Sequence, residues 1–268
     1  MHHLSVPKVA IVRDLPQSFV QCIKEHEPED PIDLGLAKKQ HDQYVELLKE
    51  SITRVVQLPA DEALPDSCFI EDTAVVIGDI ALINFMGAPA RRGEEVAVKN
   101  ALAEVGISKI VEMQVPGTLD GGDVLYTGRH IFVGISKRTN EEGARQLEEA
   151  FGSQVPVITI PVLDTLHLKS VVSAFDSETL IFAANSAGQA VFQAIKAKVS
   201  DYQDIWVPDT VAANVLLLGN KVVIQKGYPI SEAILSRLAE AKGKEVVPVQ
   251  MSELIKGDSA LTCCSILI

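Results

Sequence analysis

Four cysteines, Cys22, Cys68, Cys263 and Cys264, and six histidines supply the nucleophilic and proton-carrying chemistry of this chain. A cysteine nucleophile needs a proton shuttle, and histidine is the usual one. His2, His3, His26, His41 and His130 fall in terminal, helical, loop or turn contexts, whereas His167 stands between apolar residues at a strand entrance in DTLHLKS. Elimination selects His167, against the competing reading of a satisfied core histidine. Cys263 and Cys264 sit in the apolar terminal run LTCCSILI, which reads as a strand. Successive strand residues face opposite ways, so at most one of the pair faces a shared site; spacing does not choose between them. The bland role for either is a small buried hydrophobe.

Acidic groups surround these two. In Leu119-Asp120-Gly121-Gly122-Asp123 the glycines remove bulk and let backbone approach a partner closely. No helix and no Lys-Ser/Thr follow, so a phosphate loop is not indicated, and a turn with solvated aspartates is the plain alternative. Asp66, Glu71 and Asp72 lie in a short span beside Pro65 and Cys68. They lack the spacing of a calcium loop and suit a planar guanidinium, which donates paired hydrogen bonds. Arg91-Arg92 and Lys137-Arg138 follow two predicted hairpins and could hold a substrate carboxylate, or simply be solvated charge.

The elements that must position these residues repeat. TAVVIGDIALIN (73–84) reads as a hairpin turning at Gly78-Asp79; a helix over Glu94–Val105 follows, stopped by Gly106, then a strand over Lys109–Val115. The order recurs with hairpins over Asp123–Ser136, Val171–Ala183 and Asn214–Gln225, helices over Asn140–Phe151, Ser186–Lys198 and Ser231–Ala241, and strands over Val155–Val162, Asp204–Val207 and Glu245–Val249. The units begin roughly 45 to 50 residues apart, the spacing of a repeat architecture. A lone first strand, Val9–Val12, precedes a helix over Leu34–Ser51 and a strand over Arg54–Leu58; pairing it with the terminal strand completes a fifth unit and closes a ring without free edges. The alternative is an open α/β sheet with hairpin insertions. In the ring, Glu71-Asp72, Asp120–Asp123, His167, Asn214 and Cys263 fall at corresponding points and converge on the axis.

Composition fits a small cationic ligand. Lys plus Arg is 24 and Asp plus Glu is 36, so 24 − 36 = −12. Such a surface repels nucleic acid and anionic membrane. At 47% hydrophobic the chain can bury a sizeable core, and it has no unbroken apolar run of the roughly 18 residues a spanning helix needs. The N-terminus lacks a signal-peptide pattern and the cysteines lack disulfide-framework spacing, which points to a reducing cytoplasm. His2-His3 reads equally as native sequence or a tag remnant.

The segments ELL…VVQLPADEALPD, FIEDTAVV, GAPARR, LDGGDVLYTGR, FVGISKRTN, LHLKS and MSEL…LTCCS together resemble the dimethylarginine dimethylaminohydrolases, in order and spacing, from about Val9 to Ile268. The resemblance implies the pentein fold, a five-fold α/β propeller of ββαβ modules, as one catalytic domain over 1–268 acting as a monomer or homodimer. It implies hydrolysis of asymmetric dimethylarginine and monomethylarginine to citrulline plus the methylamine, through a covalent thiouronium on cysteine and with no metal or organic cofactor. By position, Cys263 is then the nucleophile, His167 the general acid/base and Asp120 its supporting carboxylate. Glu71 and Asp72 face the guanidinium, Asp66 meets the substrate amino group, Arg91 and Arg138 clamp the α-carboxylate, and Gly257 offers a backbone carbonyl. Zinc captured by the thiolate would inhibit. Ser259-Ala260 stands where relatives often have glycine, and the lid after Leu15 matches poorly. Lys24 lies near a family substrate-contact position. The rival functions are an arginine deiminase-like guanidino hydrolase or amidinotransferase, whose families run to longer chains, and a non-catalytic pentein scaffold, against which Cys263, His167 and Asp120 argue.

Overall fold

The structure is a computed structural model and describes residues 6–268, so the His2-His3 question lies outside the described residues. Along the chain, β1 (Val9–Arg13), α1 (Leu34–Ser51) and β2 (Arg54–Leu58) come first. Next follow β3 (Ala74–Ile77), β4 (Ile80–Ile83), α2 (Glu95–Glu104) and β5 (Lys109–Glu112), then β6 (Val124–Tyr126), β7 (Ile131–Ile135), α3 (Glu141–Phe151) and β8 (Val157–Pro161). The third unit holds β9 (Val172–Ala174), β10 (Thr179–Ala183), α4 (Ser186–Lys196) and β11 (Gln203–Val207). The fourth holds β12 (Leu216–Leu218), β13 (Lys221–Gln225), α5 (Pro229–Ala241) and β14 (Glu245–Val249), before a short α6 (Ser252–Ile255) and β15 (Ile266–Leu267).

These strands form five three-stranded sheets of one pattern: a short strand antiparallel to the middle one, which is parallel to the third. The middle and third strands are parallel because a helix carries the chain across between them. The fifth sheet has the order β15-β1-β2, with Ala10 opposite Leu267 and Ile11 opposite Ile266, so the two ends of the chain do complete the missing ββαβ module. This is the pentein propeller. The short strands β3, β6, β9, β12 and β15 surround one central cavity.

Local chemistry explains the boundaries. Gly78 has φ +61°, the left-handed value a two-residue hairpin turn demands. Gly106 at +92° follows α2 as the sequence predicts. Asn140 and Asn185 cap α3 and α4 by accepting from Gly143 N at 2.7 Å and Gly188 N at 2.8 Å; each such cap is worth about 1 kcal/mol. Helix α5 begins at Pro229 rather than Ser231, because proline is at ease in a first turn where its missing N–H is not needed. Strand β5 stops at Glu112 rather than Val115, since the middle strand it pairs with ends at Ile83. No helix among the described residues is long and apolar enough to cross a membrane.

The terminal cysteines differ from the sequence reading. Thr262–Cys264 is a 3-10 turn, and only Ile266–Leu267 is strand. The turn lets Cys263 and Cys264 point at unlike surroundings without strict alternation.

Candidate active site

Each module sets a 3-10 turn at the axis just before its inner strand: Ile70–Thr73, Gly121–Asp123, Leu168–Ser170, Thr210–Ala213 and Thr262–Cys264. Close approach of the first three depends on Gly121 and Gly122. A Cβ on Gly121 would lie 2.1 Å from the Glu71 carbonyl oxygen, and one on Gly122 2.5 Å from His167 Nδ1. The paired glycines thus admit neighbouring turns, and the aspartates beside them are buried rather than solvated.

His167 opens its turn, and its Nε2 lies 3.1 Å from Asp120 Oδ2. Asp120, fully buried, also accepts from Gly87 N at 2.9 Å, and Arg138 Nη1 stands 3.7 Å from its second oxygen. Asp123 braces the histidine's turn, accepting from Leu168 N at 2.9 Å and from the Ser136 hydroxyl at 2.6 Å. Burial by itself would push the imidazole down. The nearby Asp72 carboxylate, the bond to Asp120 and the charge of Asp123 together outweigh it and lift His167 to about 9. At neutral pH the resting site therefore holds an imidazolium.

Cys263 is half-buried, and its Sγ accepts from Ala260 N at 3.4 Å. Burial pushes its thiol well up, and the carboxylates of Glu71 and Asp72 push the same way. Cys264 is fully buried, its thiol driven up to about 12 mainly by burial. Cys263 lines a pocket of about 190 Å3 together with Glu71, His167, Lys169, Asn214 and Thr262. Cys264 packs instead with Tyr44, Cys68 and Leu261 in the core. The choice the strand reading left open falls to Cys263.

Behind that wall the acids are braced by cations. Asp72 accepts from Gly122 N at 2.7 Å and from Arg91 Nη1 at 2.7 Å. Burial opposes its ionisation, yet His167 and Arg91 hold the carboxyl below its usual range. Arg91 is itself buried and forked onto Glu94, with bonds of 3.0 and 2.8 Å, and gives a further bond to the Phe69 carbonyl. Burial lifts the Glu94 carboxyl to about 7 against the pull of Arg91. Glu71 pairs with Lys169 and accepts from the Thr262 hydroxyl at 2.8 Å; burial raises its carboxyl all the same.

Asp66 is buried and accepts Ile23 N at 3.1 and 3.3 Å. Gly257 leaves no room for a side chain: a Cβ there would lie 2.9 Å from Cys22 Sγ. Asp66, Asp72, Arg91, Asp120, Arg138 and Gly257 are not among the residues lining the pocket as it stands. Asp72, Asp120 and His167 bring one donor atom each within 4.8 Å of one another. Those atoms are already engaged with one another or with Arg91, Gly122 and Gly87. Sequence reasoning gave no role to Lys169, Thr262 or Glu94, and placed Asp123 on the axis without one of its own. Lys169 was visible inside the LHLKS motif, but its partner Glu71 is 98 residues away.

A closed ring of five ββαβ units with thiol, imidazole and carboxylates on its axial turns defines a cysteine-bearing pentein. A family model described as N,N dimethylarginine dimethylhydrolase, eukaryotic, matches residues 21–266. The N(G),N(G)-dimethylarginine dimethylaminohydrolase of Streptomyces coelicolor is 36% identical over 97% of this chain and 96% of its own length. The protein of the same name from Pseudomonas aeruginosa is 31% identical over 87% of this chain and 89% of its own. A solved structure of DDAH from Pseudomonas aeruginosa, a cysteine-to-serine mutant complexed with citrulline, superposes with a TM-score of 0.90 at 28% identity, covering 98% of this chain and 100% of that one. The chain belongs to the dimethylarginine dimethylaminohydrolase family.

Proposed function

We propose that this protein hydrolyses asymmetric dimethylarginine and monomethylarginine to citrulline and dimethylamine or methylamine, residues 1–268 acting as one catalytic domain. The observation that carries the reading is the meeting of Cys263, His167 and Glu71 in one pocket backed by Asp72 and Asp120, in a chain of this family. The citrulline held by the Pseudomonas aeruginosa mutant supports the product assignment.

The chemistry follows from the charges. In the resting pocket carboxylates outnumber free cations and Cys263 is a thiol. A guanidinium entering beside Glu71 and Asp72 offsets that negative charge and favours the thiolate. The Cys263 sulfur adds to the guanidinium carbon, forming a C–S bond. The imidazolium of His167 gives its proton to the methylated nitrogen, the C–N bond breaks, and neutral amine departs, leaving a cationic thiouronium on sulfur. His167, now neutral, takes a proton from water as the oxygen adds to the same carbon. Collapse breaks the C–S bond; the added hydroxyl's proton passes to the departing sulfur, which restores the Cys263 thiol and leaves the ureido group of citrulline. Asp120 holds the imidazole in orientation throughout and stabilises its charged form.

In this reading Asp66 receives the substrate amino group, Arg138 and Arg91 hold the α-carboxylate, and the Gly257 carbonyl faces the amino end. Engagement of Arg91 would draw on a guanidinium now shared by Asp72 and Glu94. A colorimetric citrulline assay with asymmetric dimethylarginine, monomethylarginine and arginine tests the proposal. Citrulline from the methylated forms is expected; release from arginine alone would assign a deiminase, and release from none a scaffold.

A further inference from the structure

Four of the five axial turns carry or adjoin the groups given roles above. The remaining turn, Thr210–Ala213, ends at Asn214, which the reaction does not use. Asn214 is 1% exposed. Its Nδ2 donates to the Lys169 carbonyl at 3.1 Å and to Thr262 Oγ1 at 3.2 Å, while its Oδ1 accepts from Thr262 N at 3.1 Å. The orientation of the amide is dictated by these partners, since a backbone N–H can only donate and a carbonyl can only accept. Thr262 Oγ1 in turn donates to Glu71 Oε2 at 2.8 Å, and Lys169 Nζ pairs with the other oxygen of Glu71. The bonds close a circuit through four modules: Asn214, Thr262, Glu71, Lys169 and back to Asn214.

The circuit touches the nucleophile's own turn on one side and the guanidinium-facing carboxylate on the other. It is also a partition: Glu71, Lys169 and Thr262 line both the pocket and the apolar central cavity of about 310 Å3 behind it. We propose that Asn214 is a positioning residue that locks the Thr262–Cys264 turn to Glu71, fixing the Cys263 sulfur relative to the bound guanidinium. An aspartate there would accept from Thr262 N but lose both donors and set a second negative charge near Glu71; an alanine would lose all three bonds. A small displacement of a reacting atom is costly, which makes such a brace matter to rate more than to binding.

The inference rests on the proposed hydrolysis, and two readouts separate their failures. The first is steady-state citrulline release from asymmetric dimethylarginine. Asn214→Ala is expected to lower kcat roughly 10- to 100-fold with KM changed less than about threefold, the mark of lost positioning rather than lost binding. Thr262→Ser, which keeps the hydroxyl, should retain most of the rate. The second readout is independent of substrate identity: the rate of Cys263 alkylation by iodoacetamide against pH, followed by intact mass. A loosened turn exposes the sulfur, so the alkylation midpoint of Asn214→Ala should move down from the wild-type value. Should Asn214→Ala not fold, Thr262→Val keeps the backbone bond to Asn214 but cuts the bridge to Glu71, and the same downward shift is expected of it. An unchanged midpoint together with a kcat loss no larger than the loss of folded protein overturns the proposal. A wild-type chain that makes no citrulline refutes the substrate reading and leaves alkylation to decide this one.

Discussion

The axial turns line the pocket on several sides and the rim segment between Pro16 and Leu34 reaches it through Glu25, yet the two are held mainly by different means. On the axis, side chain meets side chain across long stretches of sequence: His167 with Asp120, Arg91 with Asp72, Thr262 with Glu71. On the rim, body carboxylates accept from backbone N–H groups. Glu62 takes Gln17 and Ser18 at 2.9 and 3.0 Å, Asp66 takes Ile23, Asp258 takes Glu25, and Glu253 takes Asp33 at 2.8 Å. Phe19 and Cys22 anchor the rim by buried side chains, Phe19 edge-on to Phe69 at 5.6 Å. Every residue but proline carries a backbone donor, so such bonds ask little of the side chains along the rim. The axis has less freedom, because its side-chain pairs each need two particular residues.

If that contrast holds, substitutions on the axis strike kcat and those on the rim strike KM. The largest effect is expected at the nucleophile. Cys263→Ser should lower citrulline release by roughly a thousandfold or more, as losses of a covalent nucleophile do. Intact-mass spectra during turnover should lose the thiouronium adduct; full turnover without an adduct would break the axial side of the comparison. Next, His167→Ala should cost on the order of 100- to 10,000-fold in kcat, the range of general acid–base contributions. A KM rise without a kcat loss would move the imidazole from chemistry to binding.

Asp72 sharpens the same side through pH. It is the chief carboxylate lifting His167 to about 9, so Asp72→Asn should pull the alkaline limb of the kcat/KM profile down toward the ordinary histidine value of 6.5. An unmoved limb would show that another group titrates there. Stability follows the same sign. The folded imidazolium is favoured, so its stabilising contribution is complete below about pH 6.5 and is lost as pH rises through about 9. Urea midpoints measured across that window should fall in the wild type and flatten in the variant.

The rim effects are smaller. Asp66→Asn keeps an acceptor for Ile23 N but removes the charge proposed to meet the substrate ammonium, so KM should rise roughly tenfold with kcat nearly constant, the pattern of lost uniform binding. A kcat collapse instead would mean that the rim, too, orders the reacting groups. Smallest of all, Glu62→Gln should change stability by no more than about 0.5 kcal/mol, the usual scale of an exposed substitution, as read from the thermal midpoint.

Much of the architecture was legible in the residues. The hairpins, helices and strands repeat with glycine punctuation at Gly78, Gly106, Gly128 and Gly219, and the lone strands at the two ends asked for each other. Period and punctuation are local properties, governed by which backbone angles a residue tolerates and which face it buries. The corrections were local too: the Cys263–Cys264 stretch curls into a turn where alternation suggested a strand.

The site was legible by kind and less so by connection. Cysteine, histidine and acids stood at matching points of the modules, which was enough to nominate them. That Arg91 would be shared between Asp72 and Glu94, or that Glu71 would be gripped by Lys169 and Thr262, had no sequence signal, since those partners lie 19, 3, 98 and 191 residues apart and follow no common period.

The amino-acid order by itself determined five like modules, a ring closed by its own ends, and the residue types delivered to the axis. Which cysteine faces the pocket, which acids stay charged and which cations hold them were decided only by closure. Charge and hydrogen bonding between side chains depend on ångström separations and on exclusion of water, and neither exists until distant turns have been brought into one buried space.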